Sequence, residues 1–183
     1  MNITVIGRGN VGGGLASRWE RAGHNVTKFG RDGGDASAAE AVLLAVPSDA
    51  IADALGKVSG LEGKIVLDTT NAFHGRDEGF ESLAHQVKSI VGGPVAKSFN
   101  CNYAALYNQI DEQRSRPCNM YAAENGAVAM AEQLSRDAGF DPVSTGGLGS
   151  ARMLEDHLEL MTAINEGSGL GRFFYRYAKP GEL

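Results

Sequence analysis

Short runs of apolar residues recur along the whole chain and indicate strands. The run Ala41–Val46 is almost entirely apolar, as is typical of a strand covered on both faces of a sheet. The pattern predicts strands at Asn2–Ile6, Asn25–Phe29, Ala41–Val46, Lys64–Asp68, Val95–Phe99, Asn119–Ala123 and Asp141–Thr145.

Segments with apolar residues three and four positions apart lie between these strands and predict helices. The apolar face of the first helix consists of Val11, Leu15, Trp19 and Ala22. Gly23 ends that helix, while Pro47 ends the third strand and Ser48 can cap the helix that follows. The apolar stripe of this second helix consists of Ile51, Leu55 and Val58. The other predicted helices are Asp77–Val87, Asn125–Ala138 and Ser150–Asn165.

The regular alternation of strands and helices predicts a Rossmann-type α/β fold. Strands joined through helices make right-handed crossovers, so we expect a doubly wound, mainly parallel sheet with a C-terminal helix. The 183 residues fit a single domain, with neither an internal repeat nor a boundary between two domains. We therefore expect one NAD(P)-binding domain over residues 1–183.

Composition and charge exclude several classes of protein. The net charge of −5 argues against a nucleic-acid surface, where a basic face is expected. No apolar run approaches the roughly 20 residues that a membrane-spanning helix needs. The opening residues contain no basic segment and no cleavage site, so we expect a cytoplasmic protein. Cys101 and Cys118 have no metal-ligand spacing, and we expect no metal site.

A glycine-rich motif follows the first strand and opens the first helix. Its residues are Gly7, Arg8, Gly9, Asn10, Val11 and Gly12, in a G-x-G-x-x-G arrangement. In a β-α-β unit the glycines permit a tight turn, close approach of a pyrophosphate, and close packing of helix on strand. We predict that these residues bind a dinucleotide. The alternative is a glycine-rich turn without a ligand.

The residues after the second strand favour NADP over NAD. An NAD site usually has an acidic residue there that holds the ribose 2′-hydroxyl. This chain instead has Gly30 and Arg31, and a guanidinium can bind a 2′-phosphate through two hydrogen bonds. Arg8 could add charge to the same pocket. Asp32 leaves open the alternative of a ribose contact, and Arg31 could be a solvated loop residue.

Polar and small residues at the carboxyl ends of the later strands complete the predicted site. Ligands bind at this edge of an open α/β sheet. We assign to the cofactor site Ala45, Val46, Pro47, Asn71 and Asn100. Ser48 and His74 are predicted to contact substrate. The alternative for such residues is turn formation, which Asn and Ser favour in any case.

Several further motifs resemble the deazaflavin-dependent NADP reductase family. They are Gly30-Arg31, Ala45-Val46-Pro47, Asp68-Thr69-Thr70-Asn71, Val95-Ala96-Lys97-Ser98-Phe99-Asn100, and Gly147-Leu148 followed by Ala151-Arg152-Met153-Leu154-Glu155. The resemblance covers nearly the whole chain. It implies hydride transfer between NADP(H) and a flat, flavin-like acceptor, with a deazaflavin or flavin as co-substrate.

Three functional hypotheses follow. The first is an NADP(H)-dependent oxidoreductase with a deazaflavin, flavin or quinone-like acceptor. Such a reaction needs no acid–base pair, because the cofactors carry the chemistry, and the catalytic residues stay unknown. The second is a non-catalytic NADP(H)-binding redox sensor or regulatory module. The third is an imine or hydroxy-acid reductase, although the residues after Arg152 are too few for the helical domain that such enzymes usually append.

The last predicted helix carries two apolar stripes. Leu154, Leu158 and Met161 form one stripe, and Met153, Leu160 and Ile164 form the other. A helix on a monomer needs only one stripe toward its core. We therefore expect a homodimer through this helix and the aromatic tail beyond it. The alternative is that the tail folds back over the second stripe.

Overall fold

The computed structural model describes residues 1–181, which form two sheets with helices on both faces of the larger one. In chain order the elements are β1 (Asn2–Ile6), α1 (Asn10–Arg21), β2 (Asn25–Phe29), β3 (Gly34–Asp35), β4 (Ala41–Leu44), α2 (Ile51–Gly56), β5 (Val58–Ser59), β6 (Ile65–Asp68), α3 (Leu83–Val91), β7 (Val95–Ser98), β8 (Cys118–Ala123), α4 (Asn125–Asp137), β9 (Asp141–Ser144) and α5 (Ala151–Gly167).

The main sheet has seven strands in the order β2-β1-β4-β6-β7-β8-β9, which confirms the predicted Rossmann-type fold. The first five strands in this order are parallel, and β8 pairs with β7 in the antiparallel sense. The strand order reverses between β1 and β4. In open α/β sheets this switch point opens a crevice at the carboxyl ends of the strands, where ligands bind.

Helices cover both faces of the sheet and bury two large apolar cores. Helices α2, α3 and α5 pack on one face, where the core includes Ile51, Leu55, Val87, Leu154 and Met161. Helices α1 and α4 pack on the other face, together with a 3-10 segment at Ala104–Glu112. The core there includes Leu15, Trp19, Tyr107, Leu134 and Phe140. Among residues 1–181 we find no helix long and apolar enough to cross a membrane.

The predicted helix at Asp77–Val87 is wrong at its start. The helix begins at Leu83, after Ser82, whose Oγ accepts a hydrogen bond from the backbone N–H of His85 at 3.2 Å. Upstream, the Asp77 carboxylate accepts a hydrogen bond from the Gly79 N–H at 2.9 Å. Such a side-chain bond to the backbone competes with helix formation. Residues 71–82 therefore form a loop above the carboxyl end of β6.

The segment after β4 also differs from prediction. The strand ends at Leu44, not at Val46, and the Ser48 side chain caps no helix. Val58 is not on the helical stripe, because it pairs with Gly34 in the two-stranded sheet of β3 and β5. That sheet was missed because each of its strands is only two residues long.

The C-terminal tail folds back on its own chain but leaves the second stripe of α5 open. The Cys118 N–H donates a hydrogen bond to the Tyr175 carbonyl at 2.9 Å, and the Phe173 ring lies 5.6 Å from that of Tyr103. Met153 and Leu160 remain 69% and 54% exposed. The tail therefore covers the core and not the second stripe.

Candidate functional site

A cavity of about 720 Å³ lies over the switch point between β1 and β4. Its lining residues are Ile6, Gly7, Arg8, Gly9, Gly30, Arg31, Asp32, Ala45, Val46, Pro47, Ala50, Asp53, Ala54 and Lys57. The cavity brings together eight of the residues assigned to the cofactor from sequence. Asn10, Val11 and Gly12 do not line it and lie in the first turn of α1. Asn71 and Asn100 lie farther along the same edge of the sheet.

Two glycines of the loop are required by the backbone around them. Gly7 has a φ of +106°, and a Cβ there would lie 2.1 Å from the Ala45 carbonyl oxygen. A Cβ on Gly12 would lie 2.0 Å from the Gly7 carbonyl oxygen. Both distances are far inside van der Waals contact, so these residues allow β1, β4 and α1 to approach one another closely.

Gly9 is different, because a Cβ there would have no neighbour within 4 Å. The residue precedes α1, whose first turn contains no acidic side chain and whose N-terminus has no side-chain cap. The N–H groups and the dipole of such a helix end favour an anion. The open space above Gly9 is therefore suited to a pyrophosphate group.

Arg8 and Arg31 carry the positive charge of the cavity. A Cβ on Gly30 would lie 2.3 Å from Nη2 of Arg8, so the missing side chain makes room for the Arg8 guanidinium. Lys57 pairs with Asp53 at 2.7 Å. No ion pair among the described residues involves Arg8 or Arg31. Both guanidinium groups are available to a phosphate.

We expect Arg31→Ala to weaken NADPH binding by about 1–3 kcal/mol, the scale of a hydrogen bond to a charged group, with little effect on NADH. Dissociation constants for both nucleotides, measured by fluorescence titration, test this. Arg114→Ala removes an exposed arginine outside the cavity and is the matched control. Equal affinity of the unmodified protein for NADPH and NADH would contradict the assignment.

Asn71 and Asn100 form a reciprocal pair at the carboxyl ends of β6 and β7. Asn71 Nδ2 donates to the Asn100 carbonyl at 2.8 Å, and Asn100 Nδ2 donates to Asn71 Oδ1 and to the Leu154 carbonyl, each at 2.9 Å. Asn100 is 4% exposed, and its Oδ1 has no partner. Ser48 Oγ is likewise buried without a partner. Both atoms therefore lie at the carboxyl edge of the sheet without a hydrogen-bond partner among the described residues, which is rare for buried polar atoms.

A second cavity, of about 560 Å³, separates the 71–82 loop from α5, and we call it the α5 groove. Its lining residues are Ala72, Phe73, Gly75, Arg76, Glu155, Leu158, Glu159, Thr162, Ala163 and Glu166. The groove begins next to Asn71. Neither of the predicted substrate residues lines it: Ser48 is buried and His74 is exposed.

A buried ionic network joins the elements beneath this groove. Lys97 is fully buried, and its Nζ lies 2.6 Å from Asp68 and 3.0 Å from Glu155. The Glu155 carboxylate also accepts the Leu83 N–H at 2.9 Å and Arg76 Nε at 2.7 Å. This one side chain therefore ties β7, α3 and the 71–82 loop to α5.

Sequence reasoning missed the role of Arg76 and of the glutamates of α5. The groove brings together residues about 80 positions apart, as in the ion pair of Arg76 with Glu155 and Asp156. No local pattern marks such a pair. The only signals were two separate motifs, one that contains Lys97 and one that contains Glu155.

Neither the Cys101 thiol nor the Tyr103 hydroxyl, which both contact α5, is a ready proton donor. Burial raises the pKa of the Cys101 thiol to about 12, and its Sγ lies 3.2 Å from the Leu154 carbonyl. Burial also raises the pKa of Tyr103, whose hydroxyl donates to the Met161 carbonyl at 3.0 Å. No group of metal-binding side chains occurs in residues 1–181. The site can position two ligands but holds no evident acid–base pair.

No protein-family model matches the chain, and no curated protein matches its sequence. Solved structures do match. A structure from Arthrobacter sp. FB24, described as a candidate F420-dependent NADP reductase, has a TM-score of 0.80 and 22% identity, covering 97% of this chain and 99% of that one. A hypothetical protein from Sinorhizobium meliloti has a TM-score of 0.67 and 28% identity, covering 82% and 88%.

A reductive aminase from Aspergillus terreus, solved with NADPH and ethyl-5-oxohexanoate, is also similar, with a TM-score of 0.66 and 16% identity. The match covers 92% of this chain but 62% of the aminase. At these identities the comparisons establish a shared fold. The chain has the Rossmann-type fold of proteins described as NADP-dependent reductases.

Proposed function

We propose that this protein is an NADP(H)-dependent oxidoreductase. The observation that carries the proposal is the cavity over the switch point. Its lining includes Gly9, with open space above it, and the guanidinium groups of Arg8 and Arg31, which form no ion pair within residues 1–181. The loop would hold the pyrophosphate, and the arginines would hold the 2′-phosphate. Asn71, Asn100 and Ser48 then mark the nicotinamide end. NADP supplies hydride transfer when bound, and the chain orients it and limits access of water.

The acceptor lies in the α5 groove, which begins where the cofactor site ends. Two acceptor classes have support. A deazaflavin, flavin or quinone-like ring agrees with the motifs in the sequence and with the name of the Arthrobacter structure. An imine agrees with the similarity to the reductive aminase. Transfer to a flat ring needs alignment of the two reactants more than a catalytic side chain, whereas reduction of a neutral imine also needs a proton.

Anaerobic oxidation of NADPH against deazaflavin, flavin, quinone and imine acceptors tests this function. We expect absorbance loss at the NADPH band with at least one acceptor, and less turnover with NADH. Tight NADPH binding without turnover of any acceptor would contradict the enzyme and favour a non-catalytic redox sensor.

We infer that a second copy of the chain covers the open stripe of α5. Met153 and Leu160 lie two helical turns apart on one face of α5 and are 69% and 54% exposed. Exposed apolar side chains that share a helix face are typical of interaction sites, and two-fold dimers are the commonest oligomers.

We expect sedimentation at micromolar concentration to give twice the chain mass of 19.3 kDa. Placing a charge in the stripe, with Met153→Glu and Leu160→Glu together, should give the single mass, because a charged interface core is disfavoured. Ile90→Glu, on another exposed apolar residue, is the control. A monomer for the unmodified protein would contradict the dimer.

A further inference from the structure

The α5 groove is negatively charged where it opens to solvent. Glu159 and Glu166 lie on its wall, are exposed, and take part in no ion pair among the described residues. The single cation of the lining, Arg76, donates to Glu155 at 2.7 Å and to Asp156 at 2.5 Å. Its charge is therefore matched by two carboxylates, which leaves no free cation for an anionic ligand.

An aromatic ring faces the same space. Phe73 lines the groove and is 73% exposed. The face of an aromatic ring attracts organic cations, and its attraction adds to that of nearby carboxylates. Apolar contacts from Leu158 and Ala163 complete the lining. The groove has an aromatic ring and free carboxylates, and its arginine is already paired with two carboxylates. Such a groove is suited to an organic cation with an apolar ring system.

We propose that the groove binds a cationic hydride acceptor, an organic iminium ion, in preference to an anionic one. This inference rests on the proposed oxidation of NADPH at the adjacent site. The hydride leaves C4 of the dihydronicotinamide with its electron pair and forms a C–H bond at the iminium carbon. The π electrons of the C=N⁺ bond move to nitrogen, so that NADP⁺ and a neutral amine are formed.

The contacts of the Cys101 thiol and the Tyr103 hydroxyl agree with this acceptor. Reduction of a ketone or a neutral imine needs a proton at oxygen or nitrogen, which an enzyme usually supplies from a positioned side chain. The Cys101 thiol is buried and donates to the Leu154 carbonyl, and the Tyr103 hydroxyl donates its hydrogen bond to the Met161 carbonyl. A fully substituted iminium needs no proton, because its nitrogen becomes neutral on accepting the electron pair.

The test uses the full chain, saturating NADPH and three acceptors of different charge. N-methyl-3,4-dihydroisoquinolinium is a permanent cation, menadione is neutral, and flavin mononucleotide is anionic. We expect the highest kcat/KM with the isoquinolinium, and a KM for it that rises with added salt, because exposed charges are screened.

Variants identify the charges responsible. Glu159→Gln and Glu166→Gln should each raise the KM for the isoquinolinium about two- to fivefold, the effect of an exposed ion pair. The KM for menadione should change less than that for the isoquinolinium, because menadione is uncharged, and the dissociation constant for NADPH should not change. Glu62→Gln, which removes an exposed glutamate outside the groove, is the control.

The outcomes separate this inference from the proposed function. Turnover of menadione or flavin mononucleotide without turnover of the isoquinolinium would overturn the cation preference and leave the oxidoreductase standing. An isoquinolinium KM that is unchanged in a protein carrying both Glu159→Gln and Glu166→Gln would also overturn it. No NADPH oxidation with any of the three would overturn both.

Discussion

Gly9→Val is expected to abolish NADPH binding while the protein remains folded. Gly9 has φ −73° and ψ −168°, which a β-branched residue adopts readily, and no atom lies within 4 Å of its Cβ position. The valine side chain would occupy the space that we assign to the pyrophosphate. We expect the dissociation constant to rise at least about 100-fold, measured by titration of NADPH fluorescence.

Two other glycines of the same loop serve as controls. A Cβ on Gly13 would lie 3.4 Å from the Arg8 carbonyl oxygen, an ordinary contact, so Gly13→Ala should retain binding and lose no stability. Gly12→Ala should unfold at lower urea concentration, because its Cβ would meet the Gly7 carbonyl oxygen. A Gly9→Val protein with unchanged NADPH affinity and a normal circular dichroism spectrum would show that the loop is not the site.

Lys97→Ala is expected to destabilise the fold by about 3–5 kcal/mol, the cost of removing one partner from a buried ion pair. The change leaves the Asp68 and Glu155 carboxylates fully buried without their shared cation. The Thr70 carbonyl also loses the hydrogen bond from Nζ, at 2.8 Å. Urea denaturation followed by circular dichroism measures the free energy of unfolding.

The control for this variant is Arg136→Ala. Arg136 pairs with Glu132 at 2.9 Å, one helical turn away, and both side chains are at least one-third exposed. Exposed pairs of this kind contribute about 0–1 kcal/mol. A loss for Lys97→Ala no larger than that of the control would contradict the account of the network, since it would mean that the carboxylates tolerate burial without the lysine.

The deazaflavin family resemblance and the charge of the groove lead to different experiments. The resemblance in the sequence led to the proposal of a flat ring as acceptor. Among the described residues that line the groove, the one cation, Arg76, is already paired with two carboxylates and is not free to bind the phosphate that flavin nucleotides carry. Comparison of kcat/KM for flavin mononucleotide and for a neutral quinone therefore tests whether proteins that share this fold also share an acceptor.

The sequence by itself determined the strands, the glycine-rich loop and the helix around the cavity over the switch point. The bounds of β1 and β2 agree with their apolar runs, and the loop between β1 and α1 follows from its glycines. These features are local: strand and helix periods act over a few residues, and a glycine is required wherever a Cβ would meet the next turn of backbone. The seven-strand sheet then follows from the alternation of elements.

Only the tertiary structure decided the α5 groove. Helix α3 starts at Leu83 because Ser82 caps it and the buried Glu155, 72 positions away in the chain, accepts the Leu83 N–H. Val58 joins a strand because Gly34 lies beside it. The groove forms where the 71–82 loop meets α5, through the ion pairs of Arg76. Such contacts depend on which distant side chains the fold brings together, so a local sequence pattern does not predict them.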